Sequence, residues 1–164
     1  MATSKFLYSG PTTITCGMDG LASGTTSARA STVIDNSTNL YLDALVQLQL
    51  QTATGTLGSN PAIYVYLYGL SYNGHYTDGV TGTDAAFTLP GTPNLKLAQI
   101  INYNVAANTV MYSSPFSVAA LFGGILPQKW GIVVNNQTGL ALAGTSGGQV
   151  DNIASYFGVQ VQSV

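Results

Sequence analysis

The sequence predicts an all-β protein: an antiparallel β-sandwich, jelly-roll-like, with at most one short helix near residues 114–123. Three observations predict it. Charged residues make up 6% of the chain, and the lack of any Glu beside only 4 Lys+Arg removes most good exposed helix formers. The 19 Gly and 10 Tyr stand among many Thr, Ser, Asn and Val, a composition that favours strands and turns. Finally, short stretches with period-two alternation recur between Gly, Pro and Asn turns, about ten of them, which is the spacing of a sandwich or barrel. Within that class the jelly roll is the chosen architecture. At 164 residues the expectation is one domain, large enough to bury about 70% of its unfolded surface.

The elements follow in order. Residues 5–9 and 12–16 are strands joined at Gly10-Pro11, and residues 17–27 are a Gly/Ser/Thr loop. Residues 29–35 form a strand that turns at Asp35-Asn36-Ser37-Thr38 into the longest alternating stretch, residues 39–52. There Leu40, Leu42, Ala44, Val46, Leu48 and Leu50 share one face, which reads as sandwich core, and Tyr41, Asp43, Leu45, Gln47, Gln49 and Gln51 the other. Residues 62–72 alternate Ile63, Val65 and Leu67 with Tyr64, Tyr66 and Tyr68. The loop between these two stretches predicts that they pair as an antiparallel hairpin.

Residues 73–79 read as an exposed loop, 85–89 as a short strand, 95–103 as a central strand and 109–112 as another. The helix expected near 114–123 would take Ser114 as cap, Pro115 at its first position and Gly123-Gly124 as its end. Residues 129–136, 140–143 and part of 150–161 complete the strands, with Phe157, Val159 and Val161 on one face of the last. Residues 1–10 and 150–164 are expected to act as interface arms that pair with a neighbour's sheet edge.

Composition also bears on function. A formal net charge of −2 with four scattered cations offers little to a phosphate backbone, so no nucleic-acid partner is expected. No apolar run approaches the about 18 residues of a membrane-spanning helix, so no membrane partner is expected. No stretch reads as a signal peptide, and the expectation is a chain that starts at Met1 and is made in a cytoplasm. A neutral, amide- and hydroxyl-rich surface suits a protein that works inside an assembly, because a free monomer uses net charge to stay apart from its neighbours. Cys16 stands alone, cannot form an intrachain disulfide, and reads as a small buried hydrophobe.

Candidate chemistry is sparse. His75 is the only histidine and shares a loop with Tyr76 and Asp78; with no Glu and six dispersed Asp, no acid–base pair or nucleophile elbow emerges. The expectation is therefore a non-enzyme with no catalytic residue and no cofactor. Asp78 and Asp84 frame five residues rich in oxygen ligands, a weak calcium candidate without the spacing of an EF-hand. Interface candidates are the tyrosine row Tyr64, Tyr66 and Tyr68 and the amide row Gln47, Gln49 and Gln51, since amides and rings are buried at lower cost than Lys or Glu. A sugar reader built from Tyr72, His75, Tyr76 and Asp78 is the alternative.

Three segments carry a resemblance: Asn39-Leu-Tyr-Leu-Asp-Ala-Leu-Val46, Ala62-Ile-Tyr-Val-Tyr-Leu-Tyr-Gly69 and residues 112–139, with Phe122-Gly-Gly, Leu126-Pro and Trp130-Gly-Ile. Together they resemble a small β-rich family of tailed-bacteriophage virion structural proteins. The match is one of strand and turn patterning and contains no catalytic motif. It implies a capsid decoration or cement protein in the virion, made in the bacterial host cytoplasm. It also implies the major capsid protein as partner and a homo-oligomer, with a trimer favoured. The alternative it leaves open is a tail- or fibre-associated sandwich that binds host carbohydrate.

Overall fold

A computed structural model describes residues 4–144 and 152–163, with Tyr72 and Ser163 described by their backbone alone. The strands lie in two six-stranded sheets, and every pairing between them is antiparallel. The first sheet runs β1 (Ser4–Tyr8), β12 (Ile153–Ser163), β5 (Asp43–Leu50), β10 (Phe116–Ser117). β2 (Thr12–Ile14) joins it on β12, and β9 (Met111–Tyr112) on β5. The second runs β7 (Ala85–Thr88), β3 (Ser27–Ala30), β11 (Lys129–Gln137), β6 (Ala62–Gly69), β8 (Lys96–Asn102), with β4 (Ile34–Asp35) on the start of β11.

If β1 with β2, and β9 with β10, are each taken as one interrupted strand, the chain pairs first with last and then inward. β1 lies on β12, β3 on β11, β5 on β10, and β6 on β8. This is a long hairpin rolled until its sides close through β12·β5 and β11·β6, the pairing of a jelly roll within the sandwich class that the alternation predicts.

The period-two pattern decides which side chains meet between the sheets. Ala44, Val46, Leu48 and Leu50 of β5 face Ile63, Val65 and Leu67 of β6 across the core, with Trp130, Ile132 and Val134 of β11 and Ala154 and Tyr156 of β12. All but Ala154 and Tyr156 are sealed from solvent. Ile14 and Cys16 lie in this same core. A second apolar cluster lies outside the second sheet. Between β6 and β8 the chain makes an excursion that adds β7 to the sheet edge and lays Val80, Leu89 and Leu95 over Tyr68, Val133, Ala28 and Ala30.

Several expectations are corrected. The 39–52 and 62–72 stretches do not form a hairpin: β5 and β6 belong to different sheets, and each is an inner strand with neighbours on both sides. Leu40 and Leu42 are not core. Leu40 adopts φ 52, which breaks the alternation, and the strand begins only at Asp43. The helix is one turn, α1 (Val118–Leu121), capped by Ser117, whose Oγ accepts from Ala120 N. Ser114 and Pro115 stay outside it because Phe116 and Ser117 are taken up as a strand on β5. Residues 140–143 make only an isolated bridge, Thr52 to Leu142. Separately from these corrections, the two terminal segments pair with each other within the chain, Ser4 with Ser163 through Tyr8 with Val159, and β1 forms an edge of the first sheet. Their outermost residues, 1–3, 150–151 and 164, lie outside the described residues.

The rolled hairpin has two ends. At one, which we call the proximal end, lie the 36–42 turn, the 122–128 loop and the β1·β12 ribbon; Leu42 N donates to Val159 O, and Asn36 N to Gln128 O. At the distal end lie the 20–26 loop, the 51–61 loop and the turn after β11; Gly24 N donates to Asn136 O and Gly58 N to Thr138 O.

Candidate functional site

Two carboxylates, Asp84 and Asp78, are committed to holding loops. Asp84 accepts from Arg29 Nε at 2.6 Å and from Gly17 N at 2.9 Å. The Arg29 bond holds its carboxyl below the usual carboxylate range. Asp78 accepts from Asn94 N, Asn94 Nδ2 and Leu95 N, and so ties the start of β8 to the loop after β6. The two carboxylates of the calcium candidate thus belong to separate braces. Among the described residues no group of three or more His, Cys, Asp or Glu is placed to hold a metal ion. His75 is exposed. Burial, and then the nearby Asp84 charge, push the Cys16 thiol up to about 12.

Of the sugar-reader residues, Tyr76 packs edge-on against Tyr68, with centroids 5.4 Å apart, and lies over Gly82. Asp78 is the brace just described, and the Tyr72 side chain lies outside the described residues.

The two interface rows fall on opposite outer faces. The tyrosines point away from the core on the second sheet. Tyr68 is fully buried under the 70–95 excursion and donates from its hydroxyl to Ser31 O at 2.8 Å; Tyr64 and Tyr66 are half-buried. The glutamines point outward from the first sheet. Gln47 Nε2 donates to Ser113 O, and Gln51 Nε2 to Asn108 O and Oδ1.

The first sheet's outer face continues past the glutamines. Cross-strand register places Ser155 beside Gln47, Phe157 beside Leu45, Val159 beside Asp43 and Tyr8, and Val161 beside Phe6. Among the described residues Lys5 is the cation of this sheet's strands, and alternation puts it on the other side of the β1·β12 ribbon from Phe6. Asp43, the acid placed on this face among the described residues, accepts from Ser117 Oγ, Ala119 N and Ala44 N. Toward the proximal end the face becomes strongly apolar. Of the large hydrophobic residues that are exposed among the described residues, Phe6, Leu7, Tyr8, Leu40, Leu42, Ile125 and Val161 gather there, and Leu97, Ile100, Val110 and Tyr112 lie elsewhere. Phe6 is 69% exposed, Leu40 71% and Ile125 75%.

Sequence reasoning assigned Leu40 and Leu42 to the core because they continue an alternation. The Asp35-Asn36-Ser37-Thr38 turn just before them was the signal that the strand had not yet begun.

The distal end is different in kind. Ser23, Gly24, Thr25, Gly58, Ser59, Asn60, Gln137 and Gly139 line an open, uncharged cleft of about 280 Å³. Its floor rests on a buried amide network. Asn135 Nδ2 donates to Gly24 O and Ser27 O, Asn136 Nδ2 to Leu21 O and Leu140 O, and Gln137 Nε2 to Asn135 Oδ1. No family model and no curated protein matches the chain.

Proposed function

We propose that the chain is a non-enzymatic virion structural protein of the capsid-decoration type, docking on the major capsid protein through the first sheet's outer face and the apolar proximal end. The observation that carries this reading is the gathering of exposed apolar side chains at that end, interrupted only by Lys5 among the described residues of β1, and continuous with a face whose described acid, Asp43, is fully engaged. Exposed patches of this kind mark interaction sites, and interface cores are depleted in charge and enriched in aromatics. Leu40 adds weight. It is both strongly exposed and held at φ 52, a conformation that costs a branched side chain free energy, and such strain concentrates at functional sites. The resemblance to tailed-phage virion proteins supports the same reading, with a homo-oligomer, trimer favoured, giving avidity across neighbouring capsid subunits.

The test is co-sedimentation with undecorated capsids. The full chain should pellet with them. A variant lacking residues 1–10 should keep its circular dichroism spectrum, since β1 is exposed throughout and contributes nothing to the core, yet stay in the supernatant. Equal binding by the two chains, or no binding by the full chain, would sink the reading.

A further inference from the structure

We propose that the distal cleft is a binding site for a neutral polyhydroxylated ligand, a sugar ring or short glycan. The inference is independent of the docking reading, since it concerns the opposite end of the rolled hairpin. It rests on what lines the cleft and on how that lining is held.

The lining excludes most ligand classes. It holds no Lys, Arg or His for a phosphate or carboxylate, no Asp for a metal ion, and no aromatic ring for a nucleobase or an apolar ligand to stack on. What remains are hydroxyls, side-chain amides and glycine backbone, which both donate and accept hydrogen bonds. A ligand matched to that surface must itself offer both kinds of group at high density and carry no charge, which is the chemistry of a sugar. The volume of about 280 Å³ lies near the lower end of small-molecule sites and fits a small ligand.

The second support is preorganisation. Three separate loops meet here, and each is pinned. Gly139 N donates to Ser23 Oγ at 2.9 Å, Gly58 N to Thr138 O at 2.8 Å, and Gly24 N to Asn136 O at 2.8 Å. Beneath them Asn135, Asn136 and Thr138 are completely buried, and their side chains hydrogen-bond the surrounding loops. Gly139, at φ 88, sits so close to Gly58 that a Cβ there would lie 2.5 Å from Gly58 N. A cleft held this firmly needs little ordering when a ligand enters, so its few hydrogen bonds translate into affinity. Thr25, Ser59 and Asn60 stand at the rim, exposed, with their side chains open to a ligand.

The probes are neutral trisaccharides (maltotriose, cellotriose and chitotriose) added to isotope-labelled full chain and followed by backbone amide NMR. Saturable shifts confined to residues 23–25, 58–60 and 137–139 with at least one probe, at a Kd of about 1 mM, would support the site. Asn60→Ala and Thr25→Ala remove exposed groups outside the buried network and should each weaken that binding about fivefold, the worth of one hydrogen bond, with the rest of the spectrum unchanged. No saturable shift with any probe, shifts centred on residues 72–78 instead, or binding unaltered in both variants would overturn the proposal. Capsid co-sedimentation is read separately, so failure of one proposal leaves the other standing.

Discussion

Asn36 closes a ring onto Tyr41. Its side-chain nitrogen donates to Tyr41 O at 2.9 Å, and its oxygen accepts from Tyr41 N at 2.9 Å. Leu40 N also donates to Asn36 O at 2.9 Å, so the turn is fixed on both sides of Leu40 and holds it at φ 52. Glycine meets no steric penalty there. Leu40→Gly should therefore raise the stability of the isolated chain by about 1 kcal/mol, read from the urea midpoint, while weakening capsid binding. A variant that loses both stability and binding would mean that Leu40 is structural.

Tyr68 and Gly131 are a cross-strand pair in which the ring covers the glycine. A Cβ on Gly131 would lie 2.3 Å from Tyr68 Cζ, and both residues are buried. Gly131→Ala should cost about 3 kcal/mol, because ring, strand and the Ser31 hydrogen bond must shift together. Gly91→Ala, with nothing within 4 Å of the added methyl, should stay within about 0.5 kcal/mol of wild type in the same denaturation.

Asp84 gives a pH signature. Its folded-state pKa lies below the ordinary value, so its contribution is complete above the unfolded value of about 3.9 and is lost as pH falls through the lowered folded value. The Arg29 and Asp84 side chains are 28% and 23% exposed, and the pair should contribute about 1 kcal/mol. Asp84→Asn should lower the urea midpoint at pH 7, and the gap to wild type should shrink at pH 3. A gap that stays constant with pH would assign the effect to packing.

Cys16 should resist thiol reagents. Its thiol is buried and its pKa is pushed up to about 12, so the thiolate is scarce at pH 8. Labelling with a chromogenic disulfide should be at least about a hundredfold slower in the native chain than in denaturant. Rapid native labelling would show that the 12–16 segment opens on its own.

How much could be read in advance depended on what alternation alone determines. The inward faces of β5 and β6, the burial of Cys16 and the antiparallel-sandwich class follow from period two and turn residues. Pairing partners do not, because Gln47 reads the same whether its strand neighbour is Tyr64 or Ser155; only the assembled fold chooses Ser155. The same ambiguity hid the outward tyrosines. Tyr66 and Tyr68 face away from the core and are covered by a segment that returns from residues 70–95, a tertiary event with no local signal. The distal cleft was beyond reach for a further reason: its lining comes from three loops far apart in the chain, each by itself an ordinary turn.

The nested pairing also sets an order in time. β12, latest of the described strands in the chain, is the strand that must insert between β1 and β5 before the first sheet is complete. β1 and β2, which pair with β12, therefore wait for it, and closure is a long-range event of the kind that takes milliseconds to seconds. An interrupted chain lacks the ribbon on which Phe6 and Val161 meet. The ribbon part of the apolar end, with Phe6, Tyr8 and Val161, is therefore assembled only once β12 has been made.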